Sequence, residues 1–226
     1  MSAPLPSDTT RRRAPDERPQ QIIDAALAVF DERGLAGARL DDIAQRAGIA
    51  KGTIYIYFPN KEELFREVIR QTLIDRLDQA RIEIDATPAS LSAADQLRGY
   101  MERSWALFVT PAYQAVSRLV HGELHRFPDL AQFYAEEVIA RSHGLVRVLI
   151  TRGVERGEFR PVDIDVTARI LAGMLITHSV WVCQQNLFKH PFTVSREYML
   201  EQLTDFFLHA LRPDAGVDET RTRAAR

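Results

Sequence analysis

From Ile22 onward, apolar positions recur every three to four residues, the period of amphipathic helices, and no stretch shows the strict alternation of a half-buried strand. Ile22, Ile23, Ala26, Leu27 and Phe30 make the first apolar face. Asp16-Glu17 open that helix at its positive end, Pro19 fits its first turn, and Gly34 ends it. A short helix is expected over 40–47, broken at Gly48, and another over 51–58, stopped by Pro59. Asn60 with Glu63 three residues on is a capping-box pattern, and the long helix it opens is expected to reach Ile84. Thr87-Pro88, Pro111, Phe127-Pro128, Gly153, Gly157, Pro161 and His190-Pro191 divide the remainder into further helix-length stretches. The expected fold is all-α. A flexible basic tail (1–15) precedes a three-helix domain (16–60), a larger helical domain (61–212) and a polar, disordered end (213–226).

The stretch Leu40 to Phe58 carries the most information. Two short helices crossing steeply need a small residue where their backbones meet, which is Ala44, and a residue at the turn that accepts positive φ, which is Gly48. Ile43, Ile49 and Ile54 form the wedge between them. On a helical wheel Ile54 and Phe58 point inward together, which turns Gly52 and Ile56 outward, flanked by Thr53 and Tyr55. This is a helix-turn-helix. Its second helix offers a bare backbone at Gly52, two hydroxyls for phosphates or base edges, and an apolar side chain suited to a thymine methyl. Lys61 opposes the macrodipole at the start of its helix, a position that suits a phosphate held jointly with the helix N-terminus.

Charge alone gives no hint of this. The net charge is −2, and residues 1–70 hold eleven Lys/Arg against eleven Asp/Glu. A nucleic-acid reading therefore depends on where the charges stand. Arg11-Arg12-Arg13 is either solvated charge or an arm reaching phosphates or the minor groove. The N-terminus lacks the apolar core of a signal peptide, and the strongly apolar run Ile170 to Val182 is too short to span a bilayer. The expected location is cytoplasmic, with no membrane partner. The single cysteine, Cys183, excludes an internal disulfide framework and a cysteine-based zinc site.

Residues 16–65 resemble the signature of the TetR family of transcriptional regulators. In that signature the recognition helix reads Lys-Gly-Thr-hydrophobic-Tyr-x-aromatic-Phe, and Lys51, Gly52, Thr53, Ile54, Tyr55, Tyr57 and Phe58 match it, followed by Lys61-Glu62-Glu63-Leu64. The resemblance implies DNA contacts from Lys51, Gly52, Thr53, Tyr55, Ile56, Tyr57 and Lys61. Two positions depart from it. Arg39 replaces the usual Thr and Ala50 the usual Ser, so two hydroxyls able to cap helices and touch phosphate are missing, although Arg39 can reach a phosphate by charge.

In the larger domain the helices expected over 163–186 and 194–211 are the most apolar. The first carries Val166, Ile170, Met174 and Trp181 on one side and Ala168, Leu171, Leu175 and Val182 on another; the second carries Met199, Leu203, Phe206, Phe207 and Ala210. Two apolar sides imply two partners, the domain's own core and the same helix pair of a second subunit. The resemblance further implies a small-molecule effector in this domain, with Trp105, Phe108, Tyr113, Arg118, His121 and Trp181 as candidate wall residues. His121 and His125 stand at i and i+4, a zinc spacing, but the surrounding pattern is not that of a metalloprotease and Gly122 weakens the helix, so no metal is expected. There is no nucleophile elbow, phosphate loop or dinucleotide fingerprint, so neither an enzyme nor a cofactor is expected. The expectation is a homodimeric repressor that binds a double-stranded DNA operator and is released by an effector. The rival is a helical adaptor whose helix-turn-helix binds protein.

Overall fold

The computed structural model describes residues 18–185 and 193–213. Arg11-Arg12-Arg13, Asp16-Glu17, His190-Pro191 and the end beyond 213 lie outside them. The described residues contain helices and no strands. The chain divides into two compact units, Met1–Val68 and Ile69–Arg226, eight residues beyond the boundary expected from sequence.

In the first unit, α1 (Arg18–Gly37), α2 (Leu40–Arg46), α3 (Lys51–Tyr57) and α4 (Lys61–Ile69) surround Ile22, Ala26, Phe30, Ile43, Ile54, Leu64 and Phe65, all fully buried. The Phe30 and Phe65 rings meet edge to face with centroids 5.5 Å apart. The apolar face that begins α4, Leu64, Phe65 and Val68, is buried, which explains why the helix starting at Lys61 belongs with the first unit. Gly34 has φ 71 and interrupts α1 where the sequence ends it, and one further helical turn runs on to Gly37. Asn60 caps α4 by accepting from the Glu63 N–H at 2.7 Å.

In the second unit, π-helical turns follow α4 (Arg70–Ile74) and α8 (Ala135–Ala140). The α-helices are α5 (Asp75–Ala86), α6 (Ala93–Phe108), α7 (Pro111–Glu123), α8 (Pro128–Tyr134), α9 (Arg141–Glu155), α10 (Ile164–Cys183) and α11 (Arg196–Leu211). Hydroxyl or carboxylate caps start four of them: Ser92, Thr110, Asp163 and Ser195 each accept a backbone N–H three residues on. Leu97, Met101, Leu149, Ile150, Ala168, Leu171, Leu175, Leu203 and Phe207 form one core from α6, α9, α10 and α11. Gly153 lets the buried Phe159 ring lie against the α9 backbone, because a Cβ there would stand 2.0 Å from that ring.

α10 is longer than the apolar run Ile170 to Val182. By length and composition it is, among the described residues, the one helix able to cross a membrane. Its Ala168, Leu171, Leu175, Ser179 and Val182 face is nevertheless packed in the core. The opposite side is open: Val166, Ile170 and Trp181 are exposed, and so are Tyr198 and Phe206 of α11.

Candidate functional site

The turn between α2 and α3 is built by backbone bonds. The Ile49 N–H donates to the Ala44 carbonyl (3.0 Å) and the Gly48 N–H to that of Gln45 (3.1 Å), with Gly48 at φ 67. This is a Schellman closure, with glycine where the left-handed backbone requires it. Ala44 is 1% exposed where the two helices meet, and Ile43 and Ile54 are fully buried. The helix-turn-helix follows from this: a small contact residue, a left-handed turn and an isoleucine wedge.

The outward face of α3 is as the wheel placed it. Ile56 is 79% exposed and Tyr55 about half exposed; Lys51 and Gly52 are exposed, while Thr53, Tyr57 and Phe58 are half-buried. Space around the Gly52 Cβ position is open, so a second molecule can approach the backbone there. Arg39 and Ala50 stand at the N-caps of α2 and α3, and neither caps its helix with its side chain. Arg39 is exposed.

Four cations of this unit, Arg33, Arg46, Lys51 and Lys61, are tied up in ways that the sequence did not reveal. Lys51 pairs with Asp41 at 2.6 Å, Arg33 with Asp42 at 2.6 Å and Arg46 with Glu32 at 2.6 Å. The hydrogen bond and charge of Asp41 hold the Lys51 ammonium above the usual lysine pKa. Lys61 does not point into open solvent. Its ammonium donates to the carbonyls of Ala36 (2.8 Å) and Ala38 (3.3 Å), pinning the end of α1 to the start of α4.

The second unit contains a cavity of about 530 Å³. Leu77, Leu107, Phe108, Val138, Ala172 and Ile176 give it apolar walls, with Tyr100, Ser104, Tyr113 and Tyr134 among them and Arg76, Glu83, Arg103, His143 and Arg169 as its charged or titratable lining. Phe108 and Tyr113 stack with centroids 4.6 Å apart. Burial raises the Tyr113 hydroxyl pKa well above its ordinary value and that of Tyr134 to about 12. Tyr100 is also raised by burial, offset in part by a hydrogen bond with Ser104.

Of the six wall residues expected from sequence, the structure brings Phe108 and Tyr113 into this cavity. Trp105 is buried and lines a separate groove with Arg98, Leu200 and Thr204. Arg118 and His121 are exposed and line neither space, and Trp181 stands on the open side of α10. Tyr100, Tyr134, Arg76 and Arg169 were missed. Each sits on a helix whose partners only the three-dimensional packing reveals, so no local signal marked it. The i, i+4 spacing of His121 and His125, which on a continuous helix would put both on one face, does not do so here. α7 ends at Glu123, just past Gly122, and His125 falls in a 3₁₀ turn, Leu124–Arg126. His121 Nδ1 is instead 2.7 Å from the Ser117 carbonyl. Among the described residues no cluster of three or more potential metal ligands occurs.

Comparison with known proteins agrees with this architecture. Residues 22–68 match the profile of bacterial regulatory proteins of the tetR family, and residues 95–213 that of the C-terminal domain of AefR-like transcriptional repressors. The chain is 37% identical to the HTH-type transcriptional regulator SrpR of Pseudomonas putida, over 69% of each chain. It is 29% identical to the HTH-type transcriptional repressor KstR2 of Mycobacterium tuberculosis, over 69% of this chain and 76% of that one. Two solved structures share the fold. FadR of Bacillus subtilis in complex with stearoyl-CoA has a TM-score of 0.69 at 22% identity, covering 85% of this chain and 99% of that one. A regulator from Saccharomonospora viridis in complex with choline has a TM-score of 0.71 at 23% identity, covering 88% and 99%. With the signature helix-turn-helix in one unit and the repressor-type helical domain in the other, the chain belongs to the TetR family of DNA-binding transcriptional regulators.

Proposed function

We propose that this protein is a homodimeric repressor that leaves its operator when a small molecule occupies the cavity of the second unit. The cavity carries this reading: its size lies in the usual range for ligand sites, and it combines apolar walls with a few polar groups. Repression itself is supported by the relatives named as repressors. On DNA, the outward set of Gly52, Thr53, Tyr55, Ile56 and Tyr57 enters the major groove, with Lys51 and Arg39 on phosphates. Lys51 must exchange Asp41 for a phosphate to do so. Lys61 keeps one ammonium proton beyond its two carbonyl partners, and its phosphate contact is secondary to its structural one.

The chain passes from one unit to the other within 61–86, and Leu73, Arg76, Leu77, Ala80 and Glu83 of that stretch line the cavity. A ligand there can therefore bias the geometry of the connection and lower affinity for DNA. The second subunit covers the open stripe of α10 and α11, where Trp181 is 64% and Phe206 68% exposed. Two recognition helices about 34–36 Å apart then match two half-sites. Such a protein works in the bacterial cytoplasm, beside the chromosome.

Fluorescence anisotropy with the DNA flanking the gene tests the whole reading. Salt-sensitive, sequence-dependent binding is expected, together with a dimer in sedimentation at micromolar concentration. A Trp181→Glu, Phe206→Glu variant should sediment as a monomer and lose operator affinity. A wild-type monomer, or binding indifferent to salt and sequence, would reject the proposal and favour the adaptor.

A further inference from the structure

Solved relatives hold ligands of opposite charge character, a coenzyme A ester in one and choline in another, so likeness does not give the sign of this chain's ligand. The cavity's own residues do. Its lining contains three arginines and one carboxylate. Glu83 is already matched, its Oε2 accepting from Arg103 Nε at 2.9 Å. His143 lies 3.1 Å, through Nε2, from the Asp165 carbonyl and 3.9 Å from its carboxylate, which is itself paired with Arg147 at 2.9 Å. Arg76 and Arg169 remain. Both are exposed at the rim, and neither has an ion-pair or hydrogen-bond partner among the described residues. The wall therefore carries two uncompensated positive charges.

A second observation points into the same space. Tyr113 is 5% exposed and lines the cavity, yet its hydroxyl has no protein hydrogen-bond partner among the described residues. The Tyr134 hydroxyl is likewise without one among the described residues, and its phenol adds to the rise that burial gives the Tyr113 hydroxyl. A hydroxyl that lines the cavity without a protein partner is open to donate to, or accept from, a ligand there. The remaining wall (Leu77, Leu107, Phe108, Val138, Ile139 and Ile176) is carbon.

We infer that the cavity takes an amphiphilic anion, an apolar chain or ring system ending in a carboxylate or phosphate, with Arg76 and Arg169 holding the charge and the Tyr113 and Tyr134 hydroxyls bonding polar atoms of the ligand. The inference deepens the effector reading above and rests on it only for the consequence of binding. A cationic amphiphile would meet two like charges at the rim. A neutral one would leave both arginines unused. Arginine suits the task because its planar fork matches carboxylate and phosphate oxygens.

Three series of equal chain length separate these cases on the full-length protein: saturated carboxylates from hexanoate to stearate, the matching alcohols, and the matching trimethylammonium ions. Coenzyme A esters of the same acids form a fourth arm, which distinguishes a carboxylate head from a phosphate-bearing one. Thermal shift and calorimetry read binding, and anisotropy on operator DNA reads release. Carboxylates, their coenzyme A esters, or both should bind at least about tenfold more tightly than the alcohols, the worth of one charge-assisted contact. An Arg76→Gln, Arg169→Gln variant should lose that margin while its alcohol affinity and melting temperature stay put. Tyr113→Phe should weaken the anions and leave the fold intact. Equal or tighter binding of the alcohols or ammonium ions overturns the inference, as does a carboxylate margin that survives the double arginine change. Anion binding that follows this pattern without releasing DNA upholds the ligand class and rejects the effector reading instead.

Discussion

Lys61 gives the sharpest test of how sequence and structure differ. The family signature and its place in the first turn of α4 suit a phosphate contact, but the structure occupies its ammonium with the carbonyls of Ala36 and Ala38. Lys61→Met keeps most of the aliphatic stem and removes the charge. A good charge-assisted bond contributes about 1.5–3 kcal/mol net. Only the 2.8 Å contact lies in the normal range and the residue is half-buried, so the low end applies. Removing a cation from a helix N-terminus returns about 0.3–1 kcal/mol. The net expectation is a loss of about 1 kcal/mol in the first unit, a roughly fivefold change in its opening equilibrium. Tryptophan fluorescence cannot see this, because both tryptophans, Trp105 and Trp181, lie in the second unit. Amide exchange followed peptide by peptide can. Globally protected amides between 18 and 68 should exchange about fivefold faster, and peptides of the second unit should not change. The salt slope of operator binding should stay the same. Unchanged exchange together with a slope lowered by about one would refute the structural role and restore the phosphate one.

Ile56→Ala should weaken operator binding by about 1 kcal/mol, and replacing operator thymines by uracil should erase most of that difference, with titrations of both proteins on both duplexes as the check. Tyr55→Ala should weaken binding without altering amide exchange in 18–68, since the side chain is half exposed and outside the core. Gly153→Ala gains about 1 kcal/mol of helix propensity but drives a Cβ to within 2.0 Å of the Phe159 ring, an overpacking cost of about 1–3 kcal/mol or more. The melting temperature read by tryptophan fluorescence should fall, and Phe159→Leu should cost less in that background than alone. Burial raises the hydroxyls of Tyr100, Tyr113 and Tyr134, so the folded state holds their protons more tightly than the unfolded chain. Their contribution is complete below about pH 10 and is lost as pH rises through the folded values; phenolate absorbance should therefore lag and then develop together with unfolding.

Local rules made much of the fold legible. Gly48, Pro59, Asn60, Pro111 and Pro128 mark helix ends because each acts on its own backbone neighbourhood, and all mark ends in the structure. The two sides of α10 were largely legible for the same reason: Ala168, Leu171, Leu175 and Val182 repeat at the helical period and are buried, while Val166, Ile170 and Trp181 repeat a step away and are exposed; Met174, expected with the latter, is instead half-buried against the core. The cavity was legible only in Phe108 and Tyr113. Tyr100, Tyr134, Arg76 and Arg169 lie on four different helices, and what unites them is packing between elements. Aromatic content suggested Trp105 and Trp181, but large apolar side chains serve cores and interfaces as readily as ligand walls.

The distribution of charge partners separates the two units. In the first unit Arg33, Arg46 and Lys51 each meet an acid across α1, α2 and α3, which is why eleven bases against eleven acids gave no sign of a DNA-binding face. Such exposed pairs add little stability, so exchanging one for a phosphate costs little. DNA is an abundant polyanion, and a protein that carried these cations unpaired would bind any sequence more tightly; pairing them lowers non-specific affinity, and in the proposed complex discrimination would fall to the uncharged Thr53, Tyr55 and Ile56. The cavity shows the opposite arrangement. Arg76 and Arg169 have no charge partner among the described residues at the rim of an apolar space, where the proposed anion would gain from both the charge and the carbon beneath it. Internal pairing suits a partner that is everywhere and must be bound selectively, and unpaired cations suit one that is scarce and must be captured.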